Sequence, residues 1–383
     1  MLVLLLSALI RASASSSGDA DVLSPEGQLG RLIFFDPTLS ASGRMSCASC
    51  HDPNNAYAAP ATSGVVMRGG AMLDRPGLRA VPSLRYLSDT PRFARHTYRD
   101  RGSEREDVGP AGGFMLDGRA DSLNAQALLP WFDRDEMGNS TVQELAGRLR
   151  RTSYAQRFTE IFGWVGDDPR RIVELGAQAL EHFELEDPSF HPFNSRFDRF
   201  LAGTATLSAA ERNGLRLFME PAKGNCAACH PIATGPGGRG PELTDHSYHA
   251  LGVPRNSAIP ADRDPSFFDL GLCGPLRTDL KREAQYCGYF KTPTLRNVAR
   301  RRFFFHNGRF QSLREVLEFY VGRDVDAGRW YPSTKFDDLP ARYRGNVNTS
   351  DAPLNRQSGG LPALNADEIA DVIAFLRTLD DAT

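Results

Sequence analysis

The chain has 383 residues, 24% charged and 41% apolar, which suits two or three ordinary domains with a sizeable core. Its 45 basic and 47 acidic residues leave a formal net charge of −2 and no basic stripe, which argues against nucleic acid as a partner. No stretch approaches the ~20 apolar residues that cross a bilayer, which argues against a membrane span.

The first residues, MLVLLLSALIRASASS, form a short apolar run ending in Ala12-Ser13-Ala14. Residues 1–18 therefore read as a secretory signal, although the usual basic start is missing. This reading makes the mature protein exported, periplasmic and soluble. Next, SPEGQLGRLIFFDP (24–37) predicts a capped amphipathic helix and a turn, followed by SCASCHDP (46–53). Residues 52–122 are rich in Gly, Pro and Arg and read as loops. Helical patterns follow over 141–162 and 169–186. LAGTATLSAAE (201–211) reads as a linker into a second domain. SAAERNGLRLFMEP (208–221) predicts another capped helix, and GNCAACHP (224–231) repeats the cysteine motif. Residues 231–300 are again loop-like, and Arg300-Arg301-Arg302 reads as a local structural cluster. The last element, 365–379, carries Ile369, Val372, Ile373, Leu376 and Leu379 at helical spacing, with Asn365 and Glu368 as a capping box.

Four of the six cysteines belong to two C-x-x-C-H motifs, Cys47/Cys50/His51 and Cys226/Cys229/His230. This is the attachment signature of c-type haem: two thiols bond the macrocycle edge and the histidine ligates the iron. Zinc is the competing reading, but each motif offers three ligands where zinc normally takes four. Cys273 and Cys287 remain, and in an oxidising compartment a disulfide is their default state. Aligning Ser24 with Ser208 places Gly30 on Gly214, Phe34 on Phe218 and Pro37 on Pro221. The fold expected is mostly α: two cytochrome-c-like haem domains with long loops, 19–203 and 204–383, related by internal duplication.

Two segments carry a resemblance. GGFMLDGRADSLNAQALLPWFDRDEMGN (112–139) and FKTPTLRNVARRRFFFHNGRFQSLREVLEFY (290–320) resemble the bacterial dihaem cytochrome c peroxidases and the MauG-like enzymes. RAVPSLRYLSDTP, LGLCGPLRTDL, GRWYP and KFDDLPARYRGNVNT are similar to the methanobactin-associated branch of the latter. The resemblance implies a peroxidatic first haem, with His51 as proximal ligand and Glu136, Gln126 and Pro130 in its distal pocket. A carboxyl there can take a proton from peroxide and return one to the leaving oxygen. The resemblance also implies His230 and Tyr320 as axial ligands of the second haem, where electron-transfer peroxidases carry methionine. A phenolate favours the oxidised iron, whereas methionine raises the potential.

The implied activity is hydrogen-peroxide-dependent oxidation of a partner protein through a high-valent, bis-Fe(IV)-like state shared by both haems. The implied target is a tryptophan on a copper-binding protein, converted to kynurenine. The alternative is a dihaem cytochrome c peroxidase that reduces peroxide to water with electrons from a small cytochrome or cupredoxin. A purely electron-carrying dihaem protein is a third reading, against which Glu136 in its motif argues. Two positions depart from the family pattern. Leu116 stands where many relatives carry an inter-haem tryptophan, so coupling would use Trp131 or direct tunnelling. Ala80, Arg301 and Phe303 occupy the region of a calcium bound between the domains, which speaks against that ion. His96 falls in the loop where some peroxidases keep a displaceable histidine, and it is expected not to play that role.

Overall fold

The computed structural model describes residues 23–101 and 104–382; the signal-like segment 1–18 lies outside them. The described chain is mostly helical. Its helices are α1 (Pro25–Phe35), α2 (Cys47–Cys50), α3 (Leu123–Phe132), α4 (Val142–Arg150), α5 (Ala155–Phe162), α6 (Pro169–Glu186), α7 (Arg196–Leu201), α8 (Ala209–Met219), α9 (Leu313–Gly322) and α10 (Ala366–Arg377). Three two-stranded antiparallel pairs accompany them: β1 (Arg68–Gly69) with β2 (Arg75–Pro76), β3 (Ala94–Arg101) with β4 (Glu104–Ala111), and β5 (Tyr248–His249) with β6 (Phe290–Lys291).

Local chemistry sets the helix starts. Ser24 caps α1, accepting the Gly27 amide at 3.0 Å, and Pro25 supplies a preset first φ. Ser208 and Glu211 form the capping box of α8, and Asn365 and Glu368 that of α10. The helix expected over 141–162 is two helices. Arg151 ends α4, and the Thr152 hydroxyl bonds back to the Leu149 carbonyl at 2.8 Å, drawing the chain out of the helix before α5. The loop region 52–122 contains the β3–β4 hairpin, whose strands show no apolar alternation.

Two apolar cores result. The first gathers Leu29, Ile33 and Phe34 of α1 with Leu145 and Leu149 of α4 and Ile172, Leu180 and Phe183 of α6. The second gathers Leu217 and Phe218 of α8 with Phe319 of α9 and Val372 and Phe375 of α10. Phe197 of α7 packs into this second core, edge-on to Phe375 at 5.2 Å, so the packing boundary lies just before α7.

The same contact builds each half. Gly30 of α1 meets α6 so closely that a Cβ there would lie 1.9 Å from the Ala179 carbonyl oxygen. Gly214 of α8 meets α10 likewise, with 2.0 Å to the Asp371 carbonyl oxygen. Each crossing lays one helix beside the cysteine motif that follows it. Cys273 and Cys287 are disulfide-bonded and pin the loops of the second half, 14 residues apart.

Candidate haem pockets and peroxide site

Each cysteine motif opens onto a cavity. The first is lined by Cys47, Cys50 and His51, the second by Cys226, Cys229 and His230. Their volumes, about 210 and 260 Å³ for the centre of a water-sized sphere, are more than ten times the ~10–15 Å³ that one water needs. None of these four cysteines is in a disulfide.

The histidines are oriented alike. His51 Nδ1 lies 3.1 Å from the Tyr57 carbonyl oxygen, and His230 Nδ1 lies 2.8 Å from that of Leu243. A carbonyl can only accept, so Nδ1 carries the proton and Nε2 keeps its lone pair for a metal. Two thiols free to bond a macrocycle edge, an imidazole with Nε2 available and a large, mostly apolar cavity fit a c-type haem at each motif.

The distal candidates come together in the first cavity. Gln126 and Pro130 lie four residues apart on α3, and both line it. Pro130 has no N–H, so the intrahelical bond it would otherwise donate to the Gln126 carbonyl is missing. Glu136 enters from the turn after α3. That turn is clamped by the β1 hairpin: the Gly70 amide donates to the Glu136 carbonyl at 2.7 Å, and a Cβ on Gly69 would lie 2.4 Å from that oxygen. The Glu136 carboxyl makes no hydrogen bond or ion pair with described residues. Burial, then the Asp133 charge, pushes its pKa up to about 7.

Tyr320, on α9, lines the second cavity with Phe305 beside it, ring centroids 5.7 Å apart. Its hydroxyl makes no hydrogen bond with described residues. His306 lines the same cavity but is engaged: Nε2 lies 3.0 Å from Asp338 Oδ2, and its ring stacks on Phe290 at 3.7 Å.

The remaining expectations separate. Leu116 lines both cavities, and its carbonyl accepts the Lys291 amide at 2.9 Å. Trp131 lines neither cavity. It is buried in the first core against Gly176 of α6, which leaves it outside the wall between the pockets, contrary to the expectation that it could couple them. His96 is exposed on β3, 2.6 Å from Asp107, and reaches neither cavity. Around the expected calcium position, Ala80 offers no side-chain ligand and Arg301 brings a positive charge, a donor set that does not fit the ion.

Glu184 was not legible from sequence. It is one acid among several on α6, yet it is buried, lines the first cavity and has Oε2 without a partner. Burial followed by the Glu181 charge pushes it up to about 8.

The sequence profile of the family described as di-haem cytochrome c peroxidase matches residues 24–206. The methylamine utilization protein MauG of Paracoccus denitrificans is 33% identical over 366 residues, covering 92% of this chain and 88% of that protein. The chain belongs to the MauG-like dihaem peroxidase family. The crystal structure of the diheme peroxidase BthA from Burkholderia thailandensis superposes with a TM-score of 0.84 at 39% identity, covering 94% of this chain and 88% of that one. A MauG-like protein associated with microbial copper homeostasis follows at a TM-score of 0.64 and 25% identity, covering 95% and 91%. As a MauG-like enzyme, the protein is a hydrogen-peroxide-dependent dihaem oxidoreductase with two c-type haems and a protein partner. No helix among the described residues is long and apolar enough to cross a membrane.

Proposed function

We propose that this MauG-like enzyme uses peroxide at the first haem to oxidise a partner protein through the second, in the periplasm. The candidate target is a tryptophan on a copper-binding protein, which becomes kynurenine. The observation that carries the reading is the pairing of an unpartnered carboxyl, Glu136, in one cavity with a tyrosine, Tyr320, in the other. The neighbour associated with microbial copper homeostasis supports the choice of target.

In this reading Cys47 and Cys50 hold the first haem and Cys226 and Cys229 the second. His51 would ligate one iron, and His230 and Tyr320 the other. Bound haem supplies the two-electron reduction of peroxide and stores the oxidising equivalents. The protein supplies proton control. With a pKa of about 7, Glu136 is poised to take a proton from incoming peroxide and return it to the departing oxygen. Gln126 can hold the carboxyl or a water by hydrogen bonds. Pro130 keeps a rigid wall with no donor aimed at the site. Leu116 places no aromatic ring at its position in the wall between the pockets, so it could not relay a hole there.

The alternative is a cytochrome c peroxidase fed by a small cytochrome or cupredoxin. It is supported by 26% identity over 360 residues to the cytochrome c551 peroxidase of Nitrosomonas europaea. One experiment separates the two. The diferric holoprotein is mixed with one equivalent of hydrogen peroxide without donor and followed by optical, EPR and Mössbauer spectroscopy. Oxidation of both haems that persists for many seconds supports partner oxidation. A protein inert to peroxide until one haem is reduced is an electron-fed scavenger instead.

A further inference from the structure

The two cavities share a wall. Ala80, Leu116, Lys291, Thr292 and Arg301 line both of them. With Val81, Pro82, Pro293 and Thr294 also shared, the cations of this wall are Lys291 and Arg301, and neither meets a carboxylate among the described residues. Lys291 Nζ is 2.6 Å from the Gly113 carbonyl oxygen. Arg301 has no side-chain partner among the described residues, and its Nε is buried without a hydrogen bond to them.

That is unusual within this molecule. Arg79 sits between Asp117 at 2.7 Å and Asp269 at 2.6 Å, and Arg296 is held by Asp198 at 2.6 Å. The buried Arg323 pairs with Asp324. Arg301 is half-buried, and a guanidinium facing two mostly apolar cavities is disfavoured unless an anion meets it. Burial alone lowers its pKa, to about 10, which marks the missing compensation. The local structural cluster expected of Arg300-Arg301-Arg302 gives Arg301 no side-chain partner among the described residues. Each haem carries two propionate carboxylates and must bring them into or out of its cavity. A guanidinium has five N–H donors, enough to serve two carboxylates at once.

We propose that Arg301 is a shared ionic anchor, taking a propionate carboxylate from each haem across the common wall, with Lys291 as a second cation beside it. The proposal rests on the presence of two haems and not on which partner is oxidised. One positive charge then sets the surroundings of both irons. It stabilises the reduced, more negative form of each, so both midpoint potentials depend on a single side chain.

The test uses the full-length holoprotein, with two haems per chain verified by the pyridine haemochrome assay. Arg301→Met removes the charge, and Arg301→Lys keeps it while losing the fork. Spectroelectrochemical titration, without peroxide or partner, is expected to show both midpoint potentials moving negative together in Arg301→Met and largely restored in Arg301→Lys. Resonance Raman is expected to show the propionate bending bands of both haems shifted in Arg301→Met. A loaded variant with unchanged potentials and bands, or with only one haem affected, overturns the proposal. Should Arg301→Met fail to load, Arg301→Gln removes the charge in a polar side chain and is read in the same way. Because no peroxide is present, failure here is separate from failure of the peroxide reading.

Discussion

The amide of Gly70 holds the carbonyl of Glu136 at 2.7 Å, so this residue is positioned through its backbone while its carboxyl stays unpartnered. Restraint at the main chain and freedom at the side chain suit a group that must exchange protons. Glu136→Gln is expected to slow the reaction with peroxide by roughly 100- to 10,000-fold, the usual worth of a positioned acid–base group. In the unmodified protein the carboxylate fraction falls as pH drops through about 7, so the rate should fall there too. Stopped-flow mixing from pH 5.5 to 8.5 checks both points. A variant with an unchanged rate and the same acid limb would remove Glu136 from the mechanism.

Glu184 titrates differently between the folded and unfolded chain. Its ordinary value is 4.5, and burial raises it to about 8 in the fold. The stability tied to its neutral form is complete below about 4.5 and is lost as pH rises through about 8. Glu184→Gln keeps the shape and removes the titration. Thermal unfolding of the variant holoprotein should therefore lose less stability between pH 5 and 8 than the parent does. Parallel curves for the two proteins would count against this.

Tyr320→Met tests the second pocket. A thioether in place of a phenolate raises the potential of the haem it ligates. The second haem of the variant is expected to titrate at a more positive potential, and the diferric protein to lose its response to peroxide added alone. If the potential is unmoved, Tyr320 is a core side chain and not a ligand.

The two glycine crossings predict matched effects. Gly30→Ala and Gly214→Ala each place a methyl about 2 Å from a backbone oxygen, which no side-chain rotation can relieve. Overpacking of this kind typically costs ~1–3 kcal/mol, or more where the backbone must yield. Chemical denaturation should show both variants destabilised, while Gly203→Ala, where a Cβ meets nothing within 4 Å but φ is +75°, should lose less.

What was legible in the sequence is what depends on near neighbours. The two cysteine motifs, helix α6 over 169–186 and the capping box of α10 are all written within a few residues. The resemblance carried Gln126, Pro130 and Glu136, which do meet in one cavity. The β3–β4 hairpin escaped because polar strands such as ARHTYRDR carry no alternation to read. Glu184 escaped because burial of one acid on an amphipathic helix is decided by what packs over it. The resemblance placed Arg301 between the domains, but only the tertiary structure shows that it lines both cavities without a carboxylate partner among the described residues.

The common wall also bears on how the molecule is made. The first cavity draws lining residues from Phe34 to Arg301, so its cysteines emerge during synthesis some 250 residues before the far side of their pocket. A haem joined to Cys47 and Cys50 stays open to solvent on that side unless Lys291 to Arg301 are packed in place. The N-terminal half by itself would lack that side of the pocket, so the second half serves the first as a wall as well as an electrical partner.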